Sequence, residues 1–165
     1  MKTFTETQRF TQWWLWLLII GISGLHVYGL YQQFYLGKPF GDNPASNELL
    51  LVFSCIPALL ILFFAVLRLD TKVDAEGVHY RFFPFQIKYK LKRWDELEKA
   101  YVREYKPIYE YGGWGIRGWG KNKARNVSGN MGLQLEMKNG DRLLLGTQKG
   151  EEMKKVVTLF FGTKS

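Results

Sequence analysis

The sequence predicts a membrane protein of the α+β class: a two-helix transmembrane hairpin, then an antiparallel β barrel or sandwich closed by a C-terminal capping helix. Three observations predict it. Residues 10–37 and 49–67 contain no Lys, Arg, Asp or Glu, and each run approaches the roughly 20 apolar residues that cross a bilayer core as a helix. Beyond residue 70, apolar and polar residues alternate with period two in several short runs, the signature of half-buried strands. The last such run gives way to an apolar stripe at Met153, Val156, Val157, Phe160 and Phe161, the spacing of an amphipathic helix.

The chain then divides into a cytoplasmic tail (1–12), a first span (13–35), an external loop (36–48), a second span (49–69) and a cytoplasmic domain (70–165). Trp13, Trp14 and Trp16 open the first span and Tyr28, Tyr31 and Tyr35 close it, the aromatic girdles expected at the two interfaces. A cleaved signal peptide fits less well, because Glu6 sits in its would-be cationic region and the apolar run continues past Gly24. The second span contains Pro57, a candidate kink, and a Ser54/Ala58 small-residue pair suited to close helix packing. Arg9 precedes the first span and Arg68 and Lys72 follow the second, whereas the connecting loop holds Lys38 against Asp42 and Glu48. Both termini are therefore expected on the cytoplasmic side. His26 has no second intramembrane acid or base to work with, and is read as a neutral side chain rather than part of a proton path.

In the domain, Asp74-Ala75-Glu76-Gly77 turns the chain into the alternating run Val78, Tyr80, Phe82. Ile87, Tyr89 and Leu91 then alternate with Lys88, Lys90 and Lys92, which predicts a strand with the first three buried and the lysines on a uniformly cationic wet face. Residues 93–106 fit helix or strand by pattern, and a turn at 94–96 followed by a strand is favoured. Residues 109–120 are rich in aromatics and glycine and lead into the basic stretch 121–125. Leu133, Leu135 and Met137 face Leu143 and Leu145 across Asn139-Gly140, a type I′ hairpin signal. Thr147 is a candidate N-cap for the last helix.

The hairpin over 78–85, the Trp94-Asp95-Glu96-Leu97 turn, the hairpin over 132–146 and the Thr147-Gln148-Lys149 approach to the last helix resemble bacterial pleckstrin-homology-like (PH-like) domains. Such domains often follow a two-helix membrane hairpin. The resemblance implies a seven-stranded barrel capped by a helix, no catalytic residues, and a place in the bacterial cytoplasmic (inner) membrane.

Composition narrows the function. Residues 70–165 hold 19 Lys and Arg against 12 Asp and Glu, so they carry +7 of the chain's formal +8. The sole cysteine, Cys55, lies in the second span, which leaves no disulfide framework within one chain. Gly113, Gly115 and Gly118 match G-x-G-x-x-G, but a dinucleotide site needs a helix opening there and the segment stays aromatic and glycine-broken. A P-loop reading at Gly115, Gly120 and Lys121 lacks its Ser or Thr, since Asn122 follows. The domain has one histidine, His79, and no metal-ligand or nucleophile spacing, so no enzyme activity, cofactor or metal is expected. The candidate contacts are the lysine face, Lys88, Lys90 and Lys92, and an aromatic lip, Trp114, Arg117 and Trp119, in which arginine between aromatics stacks on a planar group or holds a phosphate. The lip residues have a structural reading too, as a tight glycine loop covering the barrel.

The expected function is a non-enzymatic interaction module contacting anionic lipid or a membrane-protein partner. The alternative is an assembly subunit, acting through homo-oligomerisation or as an accessory to a transport or secretion complex. Nucleic acid is not an expected partner, because the basic domain is tethered to a membrane. The acidic Asp74–Glu76 turn also argues against phosphoinositide recognition in the eukaryotic manner.

Overall fold

The computed structural model describes residues 3–162, which separate into two compact units, residues 11–66 and residues 3–10 with 67–162. The first unit is the helical hairpin. Helix α1 (Trp13–Leu30) continues through a π-helical turn, Tyr31–Tyr35, and α2 (Asn47–Val66) returns. At 23 and 20 residues, with mean hydropathy 1.5 and 2.9, both are long and apolar enough to cross a membrane, and only 11% of each apolar window is buried within the protein. Helix α2 runs through Pro57 unbroken. Ala58 is exposed and Ser54 donates to its own helix's Leu50 carbonyl at 2.8 Å. The predicted small-residue pair is thus not the seam; Leu50 and Pro57 are the buried residues of α2. Gly29 meets Phe40 so closely that a Cβ there would lie 2.8 Å from the ring. Gln33 ties the turn to the loop by donating to the Ala45 carbonyl and Asn47 Oδ1, both at 2.8 Å.

The second unit has two sheets. The first orders four antiparallel strands, β1 (Phe4–Arg9), β2 (Arg68–Val73), β3 (Gly77–Phe83) and β4 (Lys90–Arg93). The second orders β5 (Leu97–Glu104), β8 (Met131–Met137), β9 (Arg142–Gly146), β7 (Asn122–Asn126) and β6 (Gly115–Arg117), with β7 parallel to β9 and the other pairs antiparallel. These are open sheets, not the closed seven-stranded barrel implied by the resemblance. A 3-10 turn at Trp94–Glu96 carries the chain from β4 to β5, and so from one sheet to the other.

The N-terminal segment, read from sequence as a tail, is a strand. Phe4, Glu6 and Gln8 alternate inward against Val73, Thr71 and Leu69 of β2. The two inward polar groups are bonded across the domain: Glu6 accepts from Thr147 Oγ1 at 2.6 Å and the Gln148 N–H at 2.8 Å, and Gln8 Nε2 donates to the Gly146 carbonyl at 2.6 Å. Thr147 is therefore a partner of β1 rather than a helix cap. Its hydroxyl accepts the Lys149 N–H, and α4 (Gly150–Phe161) starts beyond it.

The β2–β3 turn forms where Asp74-Ala75-Glu76-Gly77 predicts it, with Val73 opposite Val78. Burial would raise the Asp74 carboxyl, but hydrogen bonds from Lys72, the Glu76 N–H and His79 outweigh it and lower it to about 2. At 138–141 the hairpin turn differs from type I′, since Gly140 alone takes positive φ, at 82°, and its N–H bonds the Met137 carbonyl. A type I turn closed by a left-handed glycine fits this geometry.

The core joins both sheets through Val73, Val78 and Tyr80 on one side and Leu133, Leu135, Leu143 and Leu145 on the other. Helix α4 inserts the predicted stripe into it: Met153 and Val157 are buried, and Phe160 and Phe161 pack on Trp94 at 6.5 and 5.9 Å between centroids. The helix touches β5, β8, β1 and β2.

Candidate anion-binding cleft

Cross-strand partners share a face of a sheet, so register decides where the lysines of β4 go. Lys92 is opposite Val78 and Lys90 opposite Tyr80, both inward-facing core residues, while Leu91 is opposite His79. The lysines therefore occupy the inner face, the reverse of the sequence expectation. The predicted buried set fails with it: Ile87 is 73% and Tyr89 46% exposed. The reason is local. Gln86 closes a turn by bonding Phe82 through both its N–H and its Oε1, which delays β4 until Lys90. Arg81 then holds Tyr89 outside, its guanidinium 4.6 Å from the ring centroid. Lys88 stays in that loop, exposed and apart from the other two.

Strand β7 does the same from the other sheet. Its Lys123 and Arg125 pair with Leu143 and Leu145, which face the main core. Ala124 faces the opposite way, into a small cluster with Leu144, Tyr105 and Tyr111. Four cations from two sheets thus line one cavity of about 430 Å3, whose walls include Tyr80, Leu91, Met137 and Leu143, with Asp141 and Arg142 at the start of β9. Arg142 alternates with Leu143 and so belongs to the far face at the rim.

Asp141 is the one carboxylate in the lining, and it does not pair with these cations. Among the described residues, none of Lys90, Lys92, Lys123 and Arg125 has a carboxylate within ion-pair distance. Arg125 is the most confined. Its Nη1 donates to the Ala124 carbonyl at 2.7 Å and the Arg117 carbonyl at 3.3 Å, while its Nε is buried without a hydrogen-bond partner. Burial lowers the guanidinium from the usual arginine range, with only Tyr80 opposing the shift. Burial in turn raises the Tyr80 phenol, and Arg125 restrains it. An arginine nonetheless keeps its proton near neutral pH. A half-buried cation without an acid beside it costs stability when the site is empty.

Inward charges on an edge strand also deter edge-to-edge pairing of sheets. That accounts for Lys90 and Lys92, because β4 is an edge. It does not account for Lys123 and Arg125, because β7 lies between β9 and β6.

No protein-family model matches the chain, and no curated protein matches it either.

The aromatic lip does not assemble as one surface. Arg117 and Trp119 line a shallow hollow of about 530 Å3 with Glu110, Tyr111 and Ile116, beside the short helix α3 (Pro107–Tyr111). Trp119 is 94% exposed. Trp114 is turned elsewhere, its Nε1 donating to the Gly129 carbonyl at 3.0 Å, and Arg117 is occupied by the Trp114 carbonyl at 2.8 Å. Arg117 pairs with Ala124, which puts it on the face away from the cleft. The glycines of the G-x-G-x-x-G match lead into β6 rather than a helix, so no helical N-terminus is aimed at a phosphate there.

The sequence reading missed Lys123 and Arg125 as site residues, although both lie in the basic stretch it noted. Their alternation with the small residues Ala124 and Asn126, both fully buried, was the available signal.

Proposed function

We propose that this chain is a non-enzymatic integral membrane protein of the bacterial cytoplasmic membrane, with both termini cytoplasmic. Its PH-like domain contacts anionic lipid through the cleft between β4 and β7. The observation that carries this reading is the meeting of four unpaired cations, Lys90, Lys92, Lys123 and Arg125, on the inner faces of two sheets. Connectivity supports it. Three residues link β1 to α1 and one links α2 to β2. Arg9 and Arg68 are register partners at the end of β1 and β2 from which both links leave, and paired cations there suit the side of a bilayer that attracts them. A second reading, an assembly subunit, draws on the exposed Ile108, Tyr109 and Trp119 beside the α3 hollow, a patch of the kind that protein partners cover.

Amine labelling of the full chain in nanodiscs tests the lipid reading. Lys90, Lys92 and Lys123 are expected to label more slowly with phosphatidylglycerol present than in pure phosphatidylcholine, whereas Lys154 and Lys155 of α4 label alike in both. Equal labelling of all five in the two bilayers would count against it.

A further inference from the structure

The cleft is large enough for a small ligand, with Lys90 and Lys123 exposed at its opening and Lys92 and Arg125 half-buried, and the Arg125 Nε has no acceptor. We propose that the cleft is a discrete receptor for a compact group bearing two phosphoryl units, with Arg125 as its fixed anchor and Lys90, Lys92 and Lys123 closing around it. This rests on the reading of the cleft as an anion site and adds the class of ligand.

The charge balance selects that class. The cleft lining holds five cations, Lys90, Lys92, Lys123, Arg125 and Arg142, against one carboxylate, Asp141, which leaves a net +4. A carboxylate would offset one charge. A phosphate monoester carries about −1.5 to −2 near neutral pH, so two phosphoryl units match the site. The planar guanidinium suits a bidentate grip on phosphate oxygens, and two backbone carbonyls already fix its position. Tyr80, Met137 and Leu143 offer apolar contact to the carbon portion. Asp141 is not free to fold away, because its Oδ2 and N–H are both held by Asn139; it sets a limit on how much negative charge the site tolerates. A nucleic-acid duplex is too wide for a cavity of this size.

The same diphosphate chemistry occurs free in solution and at the end of a membrane-borne prenyl chain, so both sources are tested. Calorimetric titration of the full chain in neutral micelles with inorganic pyrophosphate is expected to give one-to-one binding about tenfold or more tighter than sulfate. Farnesyl pyrophosphate that binds about tenfold tighter again assigns the site to a lipid-borne diphosphate, and equal affinity assigns it to a free one. Arg125→Met is expected to lose the binding while melting at the same or a higher temperature, because it removes an unpaired cation and keeps the volume. Lys92→Gln is the second variant and weakens binding in the same sense; Lys154→Gln, on α4, leaves it unchanged. Pyrophosphate binding no better than sulfate, or unchanged in both Arg125→Met and Lys92→Gln, would overturn the proposal. If lysine protection by phosphatidylglycerol persists in that case, the lipid reading stands and only the diphosphate receptor falls; pyrophosphate binding without such protection does the reverse.

Discussion

Glu6→Ala is expected to destabilise the β domain by about 3 kcal/mol, because a buried carboxylate loses two charge-assisted hydrogen bonds and leaves two donors stranded. The donors are the Thr147 hydroxyl and the Gln148 N–H. They sit in the link between β9 and α4, so β1 fastens the end of β9 to the start of the helix. The effect should be visible as a lowered urea midpoint of the full chain in neutral micelles, with faster hydrogen exchange in β1 and in residues 147–149. Thr147→Ala should reproduce part of it, and the double variant should cost less than the two singles combined, since they remove one shared bond. A midpoint unchanged in Glu6→Ala would show that β1 is not fastened in this way.

Gly77→Ala should be at least as damaging, at about 3 kcal/mol, the upper range for inserting a group into a packed contact. A Cβ at Gly77 would clash with the Lys92 carbonyl oxygen and lie 2.9 Å from Arg93 Cα. Both atoms belong to backbone, so the clash is relieved only by separating β4 from β3. That separation moves Lys90 and Lys92 out of register with Tyr80 and Val78, so anion binding and stability fall together. Gly129→Ala provides a contrast: it strains a left-handed glycine in the link between β7 and β8, outside the cleft lining, with no atom within 4 Å of the new Cβ, and should lower stability while leaving binding intact. Equal loss of binding in both variants would argue that the cleft responds to general loosening rather than to β4.

The helices were legible because their signals are local. Two charge-free runs give the hairpin, and the stripe from Met153 to Phe161 gives α4 with its buried face. The Asp74–Gly77 turn, the 3-10 turn at Trp94–Glu96 and the β8–β9 hairpin are likewise set by neighbours in sequence. Strand β1 was hidden because its partner β2 lies beyond the whole hairpin, and because its inward positions include Glu6 and Gln8, which look like surface residues until their partners near Thr147 are known. The face of β4 was read backwards for a related reason. The parity of its side chains depends on which residue of β3 each one meets, and a shift of one residue exchanges the faces. Local composition favoured burying Ile87 and Tyr89; the turn at Gln86 and the stacking of Tyr89 on Arg81 decided otherwise. The cleft needs both sheets in place, so residues 88–92 and 121–125 each appeared only as a basic segment, with nothing in sequence to bring them together.

The most direct measurement is native mass spectrometry of the full chain released from a bilayer containing equal phosphatidylglycerol and phosphatidylcholine. The wild type should retain phosphatidylglycerol in preference to phosphatidylcholine, and the Lys90→Gln, Lys92→Gln, Arg125→Met triple variant should lose that preference while still carrying lipid on its helices. Equal retention of the two lipids by the wild type, or a preference that survives in the triple variant, would contradict an anion-reading cleft at the membrane.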